Sequence, residues 1–413
     1  MYKTLTCLLV LLIILKLQTA HAQSTNPPER CGFKPKSHSE EFEKWMQAKK
    51  QLQKHQRNTS NNSIYRIPVV VHIIHDGEDE GKGLNLSDET IKTLIKNVND
   101  DFRRKSGTRG HNTHPSGVDT QIEFHLAQIS PEGLPTTGIR RIDYNKLLDS
   151  LGREGIEGYR TAGYWNPEQY FNIWFSRFSR GFLGRAEFPE TDLPGIPQPT
   201  EKIEEDGIFI NSTYFMEGEE GPYGLGRTLT HEIGHFLGLL HVWGIKSNCE
   251  NDDYCDDTPL VSGPHGSCSG STPLACNGEP AMIENYMDYS DDACMNIFTK
   301  DQMVRMRTVL EHSPRRKTLT TSPGLIRSDI GANTVKTYPN PALETLNVEF
   351  GLNVLGLSHE WILYNLQGQI IQRFTFVAKH QMVFNLPLVA SKVLILKIQG
   401  PALNTTQKIM IGN

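Results

Sequence analysis

The residues with the clearest chemical reading are His231, Glu232 and His235, in the stretch THEIGHFLGLLHVW from Thr230 to Trp243. Histidines four apart share one face of a helix, one turn above the other, so both imidazoles reach a single metal ion. Zn2+ is the expected metal: three neutral imidazoles suit it and leave the fourth tetrahedral position to water. Glu232 stands beside the first ligand and is expected to take a proton from that water without binding the metal itself. His241 joins the set only if the helix stops, because six residues at about 100° each carry it about 120° away from the other two. Gly238 answers this, since a glycine adopts the left-handed conformation that ends a helix and turns the chain back. The implied chemistry is hydrolysis by an activated water.

Several elements must hold that constellation. The run IPVVVHII at Ile67 to Ile74 predicts a buried strand, with His72 and His75 as core or rim residues rather than ligands. Ser87 predicts the cap of a helix with Asp88 and Glu89 in its first turn and Ile91, Leu94, Ile95, Val98 and Phe102 on one face. Ile122, Phe124 and Leu126 alternate as in a half-buried strand, and Tyr170 to Phe175 and Gly207 to Ile210 are further strand candidates. Strand, helix, more strands and then the histidine helix predict an α/β (α+β) layer with a mixed, twisted sheet over residues 64–314. The Gly- and Pro-rich stretch from Phe178 to Pro199 reads as mostly loop. Beyond Pro314, residues 315–333 read as a linker. Short strand-like runs between Leu346 and Ile411, separated by turn residues, then predict a small all-β sandwich over 334–413.

The chain has 413 residues, with 42 Lys plus Arg against 47 Asp plus Glu and a net charge of −5. No long block of either sign points to nucleic acid. Lys3, the apolar run Leu5 to Leu15 and the small residues before Gln23 predict a signal peptide over 1–22, cleaved after Ala22, with no retained transmembrane segment. Export makes disulfides available to Cys249, Cys255, Cys268, Cys276 and Cys294, of which five cannot all pair among themselves. Residues 23–63 are polar, with little apolar material for a core, and read as a pro-segment.

His231, Glu232, His235, Gly238 and His241 resemble the extended zinc motif of the metzincins. Asn285 to Tyr289 (NYMDY) resembles their Met-turn, and with DDTP at Asp256 to Pro259 and the clustered cysteines it is similar to the pappalysin family over roughly residues 64–312. That resemblance implies a zinc endopeptidase acting on proteins or peptides, with Met287 as a floor beneath the histidines and Tyr289 as a stabiliser of the oxyanion. It implies Ca2+ in the loop of Asp252, Asp253, Asp256 and Asp257, whose hard oxygens suit that ion. It also implies pairing of Cys268 with Cys294, and of Cys276 with Cys249 or Cys255.

Arg30-Cys31-Gly32 resembles the cysteine switch of metzincin zymogens, in which a thiolate occupies the fourth zinc position; activation then requires a cut between Arg57 and Arg66. Tyr338 to Ala342 (YPNPA), ILYNLQGQII from Ile362 and Lys408 to Ile411 resemble a type IX secretion sorting domain, which implies export through that machinery to the medium or the cell surface. In part of the family an acidic residue just past the Met-turn selects basic side chains; here Asp291, Asp292 and Ala293 follow, and that preference is not expected if Ala293 takes the pocket position. The combined expectation is a secreted zinc metalloendopeptidase made as a latent zymogen. The rival class is an inactive binding or adhesion protein on the same scaffold, which the intact Glu232 disfavours.

Overall fold

The β-branched run forms a strand one place in from an edge of the larger sheet, with partners on either side of it. In a computed structural model, residues 29–33, 39–56, 63–151, 163–177, 181–193, 203–214, 221–268, 270–326 and 329–412 are described. The expected signal peptide, 1–22, lies outside them, as does most of the expected activation window. Among the described residues no helix is long and apolar enough to cross a membrane.

The strands of this sheet are β1 (Glu29–Cys31), β2 (Tyr65–His75), β3 (Ile122–Leu126), β4 (Ile139–Asp143), β5 (Phe171–Ser176), β6 (Phe182–Ala186) and β7 (Gly207–Asn211). Their order is β1-β6-β7-β5-β2-β3, with β4 also on β2. The interior pairs are parallel, while β6 runs antiparallel to β7 and carries β1 beside it in parallel. A parallel sheet needs both faces covered, which accounts for nine consecutive buried residues at the end of β2.

The helices are α1 (Ser39–Gln56), α2 (Asp88–Phe102), α3 (Tyr144–Leu151), α4 (Arg227–Phe236), α5 (Lys300–His312) and α6 (Pro314–Leu319). Ser87 caps α2 as expected, its hydroxyl accepting the Thr90 N–H at 3.1 Å. Ile91, Ile95, Val98 and Phe102 join β2, β3, β5, β7 and α4 in one core.

Two expectations need correcting and a third gains detail. Among its described residues the Phe178 to Pro199 stretch is mostly loop, as expected, and contains β6, whose five residues FLGRA show no helical or alternating signature. The polar segment 23–63 contains α1, which buries Phe42, Trp45 and Met46 at i, i+3 and i+4 against Val309. Residues 315–333 open with α6, where Leu319 enters the catalytic core and Arg316 pairs with the buried Asp206 at 2.7 and 2.8 Å.

The C-terminal strands are β8 (Val335–Tyr338), β9 (Thr345–Phe350), β10 (Ser358–Tyr364), β11 (Ile370–Val377), β12 (Gln381–Asn385), β13 (Val393–Gly400) and β14 (Leu403–Met410). They form antiparallel sheets ordered β11-β10-β13-β14 and β12-β9-β8 around Trp361, Leu363, Leu396 and Ile398. Ile129, from the other unit, is buried in this second core, and the His380 N–H donates to the Gly133 carbonyl at 2.8 Å.

His72 is fully buried between Trp174 and Asn172, its Nε2–H donating to Asn172 Oδ1 at 2.9 Å. Burial holds its pKa down at about 3, so the folded state keeps it neutral while the unfolded chain protonates it. Its stabilising effect is therefore present above about pH 6.5 and lost as pH falls toward 3. Denaturant unfolding from pH 7 to 4.5 should cost the native protein about 2 kcal/mol more than His72→Gln, which keeps a donor but does not titrate. Equal slopes would contradict this reading of the strand.

Candidate active site

Helix α4 carries His231, Glu232 and His235, and its end is built as the sequence requires. Gly238 has φ +88°, and its N–H donates to the His235 carbonyl at 2.9 Å, while the Leu239 N–H reaches back to the Gly234 carbonyl at 2.9 Å. These two bonds form a Schellman turn, which satisfies orphan carbonyls and reverses the chain. A Cβ on Gly238 would lie 2.8 Å from the Val309 side chain, so left-handed backbone and space both demand glycine. Beyond the turn, His241 swings back.

The Nε2 of His235 stands 3.1 Å from that of His231 and 3.1 Å from that of His241. Ligand nitrogens around a tetrahedral zinc with bonds of about 2.0–2.1 Å are separated by about 3.3 Å, so the donor set fits the ion. The far nitrogens are fixed as well. His231 Nδ1–H donates to the Tyr286 carbonyl at 2.7 Å and His235 Nδ1–H to the Leu239 carbonyl at 2.8 Å, which leaves each Nε2 lone pair facing inward. Burial holds all three histidines well below their usual pKa, to about 3 for His235, so they are neutral and ready to bind metal. Cys31 supplies a fourth donor: its sulfur and the three imidazoles lie within 4.8 Å of one another, and all four residues are buried.

Glu232 is buried on the same helix, and a Cβ on Gly184 of β6 would collide with it at 2.6 Å. Neither carboxylate oxygen has a geometrically sound hydrogen-bond partner. Burial pushes its pKa up to about 8, with the neighbouring Cys31 thiol, Arg30 and Arg185 pulling the other way. A desolvated carboxylate beside a metal site is a ready proton acceptor.

The Met-turn lies beneath. A Cβ on Gly234 would come within 2.4 Å of the Met287 sulfur, so Met287 sits flush against the middle of α4. Tyr289 packs edge-on against His241 at 5.0 Å and Trp243 at 4.9 Å, and its hydroxyl makes a long contact of 3.4 Å with the Cys31 carbonyl.

The segment 29–33 fills the cleft. β1 pairs with β6, Phe33 stacks on His235 at 4.1 Å, and the Phe33 N–H donates to the Cys31 sulfur at 3.2 Å. Arg30 is buried and donates to Asp292 Oδ1 at 2.5 Å and the Ser290 carbonyl at 2.6 Å. The other Asp292 oxygen accepts the Leu225 and Arg227 N–H groups at 3.1 and 3.0 Å, at the start of α4. Ala293, by contrast, is exposed. The acidic residue that meets Arg30 is thus the buried Asp292, whereas the sequence reading weighed its exposed neighbour Ala293.

The four loop aspartates do not converge. Asp252 and Asp256 are exposed, Asp253 is buried and Asp257 half-buried, and among the described residues only the Cys31 and histidine set gathers three or more ligand atoms within 4.8 Å. Asp253 Oδ2 and Asp257 Oδ1 are buried without hydrogen-bond partners, and burial holds Asp253 well above the usual carboxylate range. Disulfides join Cys268 to Cys294 and Cys249 to Cys276, leaving Cys255 a buried free thiol.

Comparison with known proteins follows this geometry. The family described as pregnancy-associated plasma protein-A matches residues 159–311, and the secretion system C-terminal sorting domain matches 336–412. An extracellular metalloprotease of Arthroderma otae is 35% identical over 202 residues, 49% of this chain and 72% of its own. One from Verticillium alfalfae is 38% identical over 257 residues, 60% and 88% of the two chains. Among solved structures, a promirolysin variant from Tannerella forsythia superposes with a TM-score of 0.56 and 29% identity, over 71% of this chain and 97% of that one. Mature mirolysin from the same organism, in complex with a cleaved peptide, gives 0.52 and 32% over 62% and 96%.

The turn at Gly238 makes a direct test. Gly238→Ala should weaken zinc binding by roughly tenfold or more in competition against a chromophoric chelator, because left-handed alanine and the Val309 contact together displace His241. Unchanged affinity would show that His241 reaches the metal by some other route.

Proposed function

Because this chain belongs to the pappalysin family of metallopeptidases and is a secreted zinc metalloendopeptidase, we propose that it cuts before basic side chains and is made latent by residues 29–56. Zinc held by His231, His235 and His241 supplies the Lewis acidity that polarises the scissile carbonyl and acidifies water. Glu232 accepts the proton of the attacking water on its carboxylate and delivers it to the departing amine nitrogen. Tyr289, anchored between His241 and Trp243, offers its hydroxyl to the oxyanion that forms as the carbonyl is attacked. Met287 keeps the floor apolar and the ligand helix in place. A dead scaffold would need a lesion in this set, and His231, Glu232, His235 and His241 all stand in working positions.

The preference rests on Asp292. Its carboxylate already receives a buried guanidinium from Arg30, and the Tyr223 ring lies 5.3 Å away. A guanidinium there divides its two donors between Asp292 Oδ1 and the Ser290 carbonyl, a fork that favours arginine over lysine and rejects apolar side chains.

Latency is supported by three contacts of the N-terminal segment. Cys31 stands at the fourth zinc position, where soft sulfur competes well with water. Arg30 fills the Asp292 pocket, and β1 occupies the edge of β6 that an extended substrate strand needs. Helix α1 adds an anchor: Glu43 pairs with the buried Arg305, one bond measuring 2.6 Å, while Arg305 Nε donates to the Gly238 carbonyl at 2.6 Å. The promirolysin superposition covers more of this chain than the mature one does, which agrees with a structured pro-segment.

Calcium completes the proposal. Asp253 Oδ2 and Asp257 Oδ1 are buried oxygens without partners, and a divalent cation would supply the counter-charge they lack. The sorting domain accounts for export and is removed after transit.

The deciding experiment is digestion of a mixed peptide library by the precursor, by the protein freed of residues 23–63, and by Glu232→Ala, with and without a zinc chelator. Cuts before arginine that vanish in the mutant and the chelated sample, and rise at least tenfold on removal of 23–63, are expected. No cuts by the freed protein with calcium present would overturn the assignment. Cys31→Ser should make the intact precursor cleave detectably, and Asp292→Asn should lower kcat/KM for arginine substrates by roughly 100-fold while leaving zinc content unchanged. Millimolar calcium should raise the thermal midpoint of the native protein but not of Asp253→Asn.

A further inference from the structure

Tyr289 follows directly on the Met-turn, where a side chain holds its backbone N–H. The group that fixes it is the neighbouring Asp288. Its carboxylate is fully buried, and Oδ1 accepts the Tyr289 N–H at 2.7 Å. The same oxygen accepts the backbone N–H of His265 at 2.9 Å, and Oδ2 accepts the His265 Nδ1–H at 2.6 Å. One residue of a distant loop therefore clamps both oxygens of the carboxylate that orients the tyrosine.

That loop is itself held. Cys268, three residues past His265, is bridged to Cys294 on the far side of the Met-turn. The His265 side chain is 15% exposed and that of Asp288 1%, so the pair lies at the rim with the charge inside. Buried carboxylates need strong donors, and a pair made at 2.6 Å holds geometry better than a neutral contact. The Asp288 hydrogen bond also raises the His265 pKa, consistent with a charge-assisted pair.

We propose that His265 is a positioning residue for hydrolysis, acting through Asp288 to hold the Tyr289 hydroxyl where the oxyanion develops. The inference rests on the role given to Tyr289 above. Removing the imidazole takes the donor from Oδ2, leaves only the Tyr289 and His265 N–H groups on Oδ1, and lets the Met-turn shift. A displacement of about 1 Å in an oxyanion donor costs rate rather than ground-state binding. His265 is then felt in kcat, with little change in KM or zinc content.

A double-mutant cycle on the mature, zinc-loaded enzyme tests this. Tyr289→Phe alone should lower kcat on the order of 100-fold, and His265→Ala alone about tenfold, with KM within twofold. In the Tyr289→Phe background His265→Ala should cost less than twofold, since nothing remains to be positioned. His265→Asn, whose amide N–H falls where Nδ1–H stood, should recover most of the rate, whereas His265→Gln should not. The same cycle with Asn and Gln replaces alanine if His265→Ala does not fold. A full-rate Tyr289→Phe enzyme overturns the role of Tyr289 and this inference with it. A normal Tyr289→Phe loss combined with an equal His265 effect in both backgrounds overturns the inference alone, leaving His265 a loop-stabilising residue.

Discussion

Three unprotonated imidazole nitrogens facing one another at about van der Waals contact repel unless a cation lies between them, and the structure is arranged around meeting that demand. Nδ1 bonds to the Tyr286 and Leu239 carbonyls choose the tautomer of two ligands. The Schellman turn at Gly238 chooses the direction from which the third arrives. Each choice recruits a further element. Tyr286 lies on the Met-turn, so that turn must pass beneath α4, and Gly234 is small so that Met287 can do so. The Gly238 carbonyl is held by Arg305 of α5, so that helix is tied to the ligand set. The sheet supplies rigidity, and its strand β6 flanks the buried Glu232.

The proposed latency draws on those same features. Arg305 carries Glu43 of α1 while gripping Gly238, and Asp292 carries Arg30 while accepting N–H groups at the start of α4. Both ends of the ligand helix are therefore in contact with the pro-segment, and Cys31 stands between them at the metal position. Each of these ion pairs is buried, so removing one partner leaves an uncompensated charge. On the proposed removal of residues 29–56, Asp292 loses its Arg30 partner and a substrate guanidinium can take that place.

Much of this was legible in the sequence because it is local. The ligand spacing, the need for Gly238 and the capping role of Ser87 each follow from helix geometry within a dozen residues, and β2 shows itself as a β-branched run. What escaped reading depends on contacts between distant residues. Arg30 and Asp292 lie 262 positions apart, and nothing in either neighbourhood states that they meet. Helix α1 has a polar composition with only three buried apolar residues, so a compositional reading passes over it. β6 takes its strand form from β7 and β1, with a sequence that gives no periodic signal of its own. The cysteine pairing was narrowed by resemblance to two choices, and the fold selects Cys249 for Cys276 because Cys255 turns inward beside Asp253.

The claim that binds these parts together is that the precursor carries zinc with Cys31 in the fourth position. Zinc K-edge X-ray absorption of the intact, zinc-loaded precursor measures it directly. The account predicts one sulfur at about 2.3 Å and three nitrogens at about 2.0–2.1 Å, with the sulfur shell lost once residues 23–63 are removed. A shell of nitrogen and oxygen alone in the precursor would contradict it, and would place latency in the Arg30 and α1 contacts without the thiol.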